Sequence, residues 1–232
     1  MPAIDRFLPP RKPAPVVDFL KLRIGVWVPT CWSYRYRADL CRRIWQPACE
    51  RMGWQVVFYD EGENEPIYSP DAAERDRLMQ YNLAAKIKRM VTHAIESKYD
   101  YIIRTDTDCM LWPERFDFSR YANYDYIGNH TYPPGNPNFH YASGMCYILS
   151  RKAMILASKT SLDYEHGREW AEDRWIGRVM HVNSIPLHLE PRIVYDKPWD
   201  DEKWIAWHDF GKWVGKLKYC PYLAENERQS ER

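Results

Sequence analysis

Asp106 and Asp108 are separated by a single threonine and come shortly after Ile102 and Ile103. Two carboxylates so placed, just past a strand, can hold a hard divalent cation, and that cation can neutralise a nucleotide diphosphate. Carboxylates one residue apart also make ordinary solvated turns, so the placement carries the argument. Glu172-Asp173 stands where a later helix should begin. A carboxylate there is often a cap or a dipole partner, but Asp173 is also suited to act as a general base on a hydroxyl. Gly144, in Tyr141-Ala142-Ser143-Gly144-Met145-Cys146, lies where a loop runs into a strand, and its bare backbone permits close approach of a ligand. His208 could complete a metal site as a third ligand if the C-terminal segment folds back over the carboxylates.

These residues need a frame. Residues 22–28 form an apolar, β-branched run closed by Pro29, which reads as a buried strand. Residues 37–52 read as one helix, with Leu40, Ile44, Ala48 and Met52 on a face and Gly53 as its stop. Residues 55–59 read as a strand with a turn at Asp60-Glu61-Gly62, residues 71–97 as a long helix, and residues 99–104 as a third strand. Alternation of this kind implies parallel strands with helices on the sheet faces, a nucleotide-type α/β half. The second half is less regular. It has short strands near 124–128 and 145–149, a Pro- and His-rich loop over 129–140, a helix capped by Ser150, a helix over 172–181, and a Trp-rich stretch from 192 to 214. The expected organisation is an extended Pro-rich arm (1–20), one α/β domain (21–224) and a flexible tail (225–232).

Composition excludes several classes. The chain has 232 residues, 45% of them hydrophobic, which suits a single sizeable core. A net charge of +1 gives no reason for bulk nucleic-acid binding. The cluster Arg35, Arg37, Arg42 and Arg43 could contact phosphates, although such a run is ordinarily a solvated helix face. No apolar run approaches the ~20 residues of a membrane span. With six cysteines, no C-x-x-C pair and no signal core, the expectation is a cytoplasmic protein with reduced thiols. Eleven Trp and seventeen Tyr serve a core, but flat rings also make sugar- and base-binding surfaces.

Four blocks occur in order: Tyr81-Asn82-Leu83 with Lys86; Ile102 to Asp108; Tyr132-Pro133-Pro134 followed by Tyr141 to Ser150; and Glu172-Asp173 with Ile176-Gly177. Together they resemble the beta-1,3-galactosyltransferase and Fringe-type family of inverting glycosyltransferases. That resemblance implies a GT-A fold, a Rossmann-like α/β/α sandwich with a mixed central sheet. It also implies a nucleotide-sugar donor, UDP-linked by expectation, and Mn²⁺ or Mg²⁺. It carries metal binding onto Asp106, Asp108 and, more loosely, His208, and makes Asp173 the base. Pro29, Thr30, Asp60, Lys86, Arg104, Asp106 and Gly144 become the donor-side residues. The acceptor would be a hydroxyl of a glycan or another molecule. Thr107 replaces the family's middle Asp, Ala142 its usual Cys, and Met145-Cys146 its glycines. Family members are usually Golgi-anchored, so a chain without an anchor suggests a microbial or viral relative. Three other readings stand beside this one: a nucleotidyltransferase, a non-catalytic sugar-binding module, and the same transfer onto a modified base of phage DNA.

Overall fold

The computed structural model describes residues 21–31, 34–60, 72–131, 140–162, 171–195 and 203–208. The expected arm (1–20) and tail (225–232), like Tyr132-Pro133-Pro134, lie outside the described residues.

The parallel half forms as its hydrophobic pattern requires. Strand β1 (Ile24–Pro29) lies between β2 (Gln55–Tyr59) and β3 (Tyr101–Thr105), parallel to both. Every residue of β1 and β3 is buried, as expected of strands covered on both faces. Successive side chains alternate between two cores. Ile24, Val26 and Val28 with Tyr101 and Ile103 join one, while Trp27 and Ile102 join the other.

Beyond β3 the sheet turns mixed. Its order is β2-β1-β3-β6-β5-β7, with β5 at Tyr126–Thr131, β6 at Tyr141–Ser150 and the two-residue β7 at His188–Leu189. β6 runs antiparallel to both β3 and β5, and β7 parallel to β5. The second half is irregular in sequence because its strands pair directly across a reversed neighbour instead of through repeated helical crossovers.

One face of the sheet is covered by α3 (Ala72–Glu96), α5 (Arg151–Lys159) and α6 (Glu172–Val182). Their buried residues include Ile87, Val91, Met154, Ile176 and Met180. Ser150 caps α5, its Oγ accepting from the Ala153 N–H at 3.2 Å. The other face is shared by α1 (Arg35–Ile44), α2 (Gln46–Arg51), the short α4 (Phe118–Tyr121) and a second, three-stranded sheet. That sheet has the order β4-β9-β8, from Cys109–Leu111, Ala206–His208 and Ile193–Tyr195. No described helix is long and apolar enough to cross a membrane.

Three local expectations change. The helix expected over 37–52 divides at Trp45, since Pro47 in the first turn of α2 has no N–H to continue the ladder. Gly53 does end it, at φ +75°, where a side chain would be strained. The strand expected over 145–149 begins at Tyr141, so Gly144 lies inside β6 and not in a loop before it.

Candidate active site

The carboxyl ends of β1, β2 and β3 share one edge of the sheet. Pro29 is in register with Tyr59, and the Thr30 N–H donates to the Tyr59 carbonyl at 2.9 Å, so Pro29, Thr30 and Asp60 lie side by side. Asp60 is exposed. The Thr30 side chain is buried, and its hydroxyl has no hydrogen-bond partner among the described residues. Lys86 lies beneath this edge: it is wholly buried, and its Nζ donates to the Thr30 carbonyl at 2.6 Å. Burial holds its pKa below the usual lysine value. Lys86 therefore supports the end of β1 from below.

At the end of β3 the chain turns through Asp106-Thr107-Asp108 into β4. The Cys109 N–H donates to the Asp106 carbonyl at 3.3 Å, closing the turn. One acceptor on β6 fixes it in place. The Met145 carbonyl takes the Asp106 N–H at 3.1 Å, the Thr105 hydroxyl at 3.1 Å and the Cys109 thiol at 3.1 Å. From the other side, Cys41 Sγ donates to the Thr107 carbonyl at 3.3 Å and Trp45 Nε1 to the Cys109 carbonyl at 3.2 Å. The turn is thus held between β6 and α1.

The C-terminal segment folds back and brings His208 to this turn. β9 pairs antiparallel with β4, opposing His208 to Cys109, and His208 Nε2 lies 3.2 Å from Asp108 Oδ1. Arg37 Nη1 approaches the other oxygen, Asp108 Oδ2, at 3.3 Å. Burial alone would raise the Asp108 pKa. The His208 hydrogen bond and the charges of His208 and Arg37 outweigh it and hold the carboxyl below its usual range.

Ligand atoms of Asp108, Cys109 and His208 all lie within 4.8 Å of one another. The Cys109 thiol is buried and already committed as a donor to the Met145 carbonyl at 3.1 Å, and burial pushes its pKa well above the usual value. Carboxylate and imidazole remain as donors, a set that suits Mn²⁺ or Mg²⁺ better than a thiophilic metal. Asp106 is turned differently. Its Oδ1 lies 2.9 Å from Arg104 Nη1 while its side chain stays 33% exposed. Desolvation pushes it up to about 6, with Arg104 opposing and Asp108 reinforcing that rise.

Arg104 is only 1% exposed. Its Nη2 pairs with Glu172 Oε1 at 2.6 Å, so one guanidinium bridges Asp106 and Glu172. Glu172 Oε2 also accepts from the Tyr147 hydroxyl at 2.8 Å. Burial pushes Glu172 up to about 8 against the pull of Arg104, and the charges of Asp173 and Asp106 add to the rise. Arg104, expected at the donor, instead lies under the site and ties its two carboxylate segments together.

Asp173 opens α6 beside Gly144. Its Oδ2 accepts the Gly144 N–H at 3.1 Å and its Oδ1 the Arg174 N–H at 2.7 Å. Burial raises its pKa, and these two backbone donors oppose the rise. Gly144 is required here: a Cβ on it would stand 2.7 Å from Glu172 Oε1. Arg37, Cys41, Tyr147 and the second role of Glu172 were not singled out from sequence as parts of this site. The spacing 37-41-45 was the available signal, because i, i+4 and i+8 share one face of a helix. The arginine cluster does not act as a unit: Arg37 faces Asp108, whereas Arg42 pairs with Asp39 at 2.6 Å.

No protein-family model and no curated protein sequence matches this chain. The mixed six-stranded sheet, helices on both faces and the small second sheet make up a GT-A-like α/β fold. Among solved structures, the chain is similar to a glycosyltransferase involved in the glycosylation of the major capsid of PBCV-1. The TM-score is 0.50 at 14% identity, covering 90% of this chain and 97% of that one.

Proposed function

We propose that this protein is a metal-dependent glycosyltransferase of the beta-1,3-galactosyltransferase and Fringe type. It would move a hexose from a nucleoside-diphosphate sugar, UDP-linked in the first instance, to an acceptor hydroxyl with inversion. One juxtaposition carries this reading. The Asp106–Asp108 turn, joined by His208, and the α6 carboxylates lie on one sheet edge, bridged by Arg104. The GT-A-like fold agrees with it, and so does the similarity to a glycosyltransferase involved in capsid glycosylation. A glycan hydroxyl is the first acceptor class to test.

Asp108 and His208, with the outer oxygen of Asp106, would hold Mn²⁺ or Mg²⁺. Bound there, the metal would offset charge on the diphosphate leaving group. Pro29, Thr30 and Asp60 would flank the nucleoside. Asp173 would take the proton of the acceptor hydroxyl as its oxygen bonds to the anomeric carbon. The bond to the diphosphate oxygen breaks with its electron pair leaving on the diphosphate, through an oxocarbenium-like transition state. A single displacement of this kind inverts the anomeric centre.

The test is thermal stabilisation by UDP, GDP, CMP, TDP and ATP, each with and without Mn²⁺. A ligand at 100 times its dissociation constant adds about 2.7 kcal/mol, a readily visible shift. A Mn²⁺-dependent shift with one nucleoside diphosphate is expected. No shift with any of them would overturn the reading in favour of a sugar-binding module.

A further inference from the structure

Helix α1 meets the Asp106–Cys109 turn along a single stripe. Cys41 and Trp45 hold its backbone, and Arg37, one helical turn earlier, reaches the Asp108 side chain at 3.3 Å. The Arg37 guanidinium lies over the Tyr34 ring at 4.6 Å and the Tyr36 ring at 5.7 Å, and its Nε donates to the Tyr36 hydroxyl at 3.0 Å. Both tyrosine rings are exposed, and Arg37 itself is 23% exposed. The cation therefore lies at the mouth of the site, on an oxygen that a divalent ion would also use.

We infer that Arg37 is a second cation for the donor diphosphate, parked on Asp108 until a metal ion takes that carboxylate. The inference rests on the proposed function and adds a donor-binding residue to it. A divalent ion on Asp108 repels the guanidinium, because two cations cannot share one carboxylate without cost. The nearest new anion is then the diphosphate brought in on that ion. The planar fork of Arg37 matches two phosphoryl oxygens, and the tyrosine rings keep it near the turn while it moves.

This role makes two binding constants move in opposite directions when Arg37 is changed. Mn²⁺ binding to the ligand-free protein, followed by Mn²⁺ electron paramagnetic resonance, is expected to tighten about threefold in Arg37→Gln, since a part-buried competing ion pair is lost. Binding of the nucleoside diphosphate that most stabilises the wild type, measured by calorimetry at saturating Mn²⁺, is expected to weaken about tenfold or more. Arg37→Lys keeps the charge but loses the fork, so Mn²⁺ affinity stays near wild type while nucleotide affinity falls. The same melting temperature in all three proteins shows that the fold is intact, and if the Gln variant melts early the Lys variant decides. Both constants unchanged, or both weakened together, would overturn the inference. Wild type that binds neither Mn²⁺ nor nucleotide would defeat the proposed function itself, a separate and recognisable failure.

Discussion

The Gly144 N–H donates to Asp173 Oδ2 at 3.1 Å, so strand β6 sets where the candidate base points. The Arg174 N–H holds the other oxygen at 2.7 Å. The carboxylate is oriented by backbone on both sides, and burial raises its pKa. Asp173→Asn keeps the size and loses the basic oxygen. Turnover is expected to fall by about 10²–10⁴-fold with nucleotide binding nearly intact. Steady-state kinetics beside calorimetry checks it, and full activity would remove Asp173 from the role of base.

Gly144→Ala places a Cβ 2.7 Å from Glu172 Oε1, and Glu172 is held by Arg104 and Tyr147. It has little room to yield. The variant is expected to lose about 1–3 kcal/mol of stability, as overpacked sites do, and to lose turnover while still binding Mn²⁺. Denaturant unfolding and Mn²⁺ binding measured together check both parts.

Arg104→Met leaves the buried Glu172 without its cation. Because burial favours neutral Glu172, the cost is that of a buried hydrogen bond to a charged group, about 1.5–3 kcal/mol. The expected result is a lower melting temperature together with reduced nucleotide binding, since Asp106 loses the same partner.

Burial pushes Glu172 from 4.5 up to about 8, so folding favours its neutral form. The stabilisation from this group is full below its unfolded pKa and is lost as pH rises through the folded one. Between roughly pH 5 and 8 the wild type should therefore lose stability relative to Glu172→Gln, whose side chain does not titrate. Melting temperature against pH for the two proteins measures the difference, and parallel curves would contradict the raised pKa.

Asp108→Ala removes the carboxylate that faces both His208 and Arg37. Metal-dependent nucleotide binding is expected to disappear, and His208→Ala to weaken it. Calorimetry with and without Mn²⁺ distinguishes these from a general loss of fold.

The parallel half could be read from sequence because each strand there is a continuous apolar run, and each helix carries a single buried stripe. Residues 22–28 and 99–104 lie within one residue of β1 and β3 at the ends that matter, and Asp106 follows directly on β3. The second half was harder. β4, β8 and β9 are three residues each, too short for any periodicity. His208 was reached only on the condition that the C-terminal segment folds back, and the β4–β9 pairing supplies that fold. The resemblance places Arg104 on the donor side, and the sequence does not show its second partner. Only the antiparallel neighbour β6 and helix α6 reveal that Glu172 claims it from behind. Arg37 was grouped with Arg42 by composition, whereas the helical period separates them.

The small sheet also fixes the order in which the site can exist. β9 is its middle strand, so β4 and β8 are joined only through residues 206–208. On the ribosome, a nascent chain that has just exposed β8 already has the carboxylate turn and α6, yet not the imidazole. On the proposed function, ion binding of full strength would be a late event in synthesis, reached only after the large sheet has every strand it will contain.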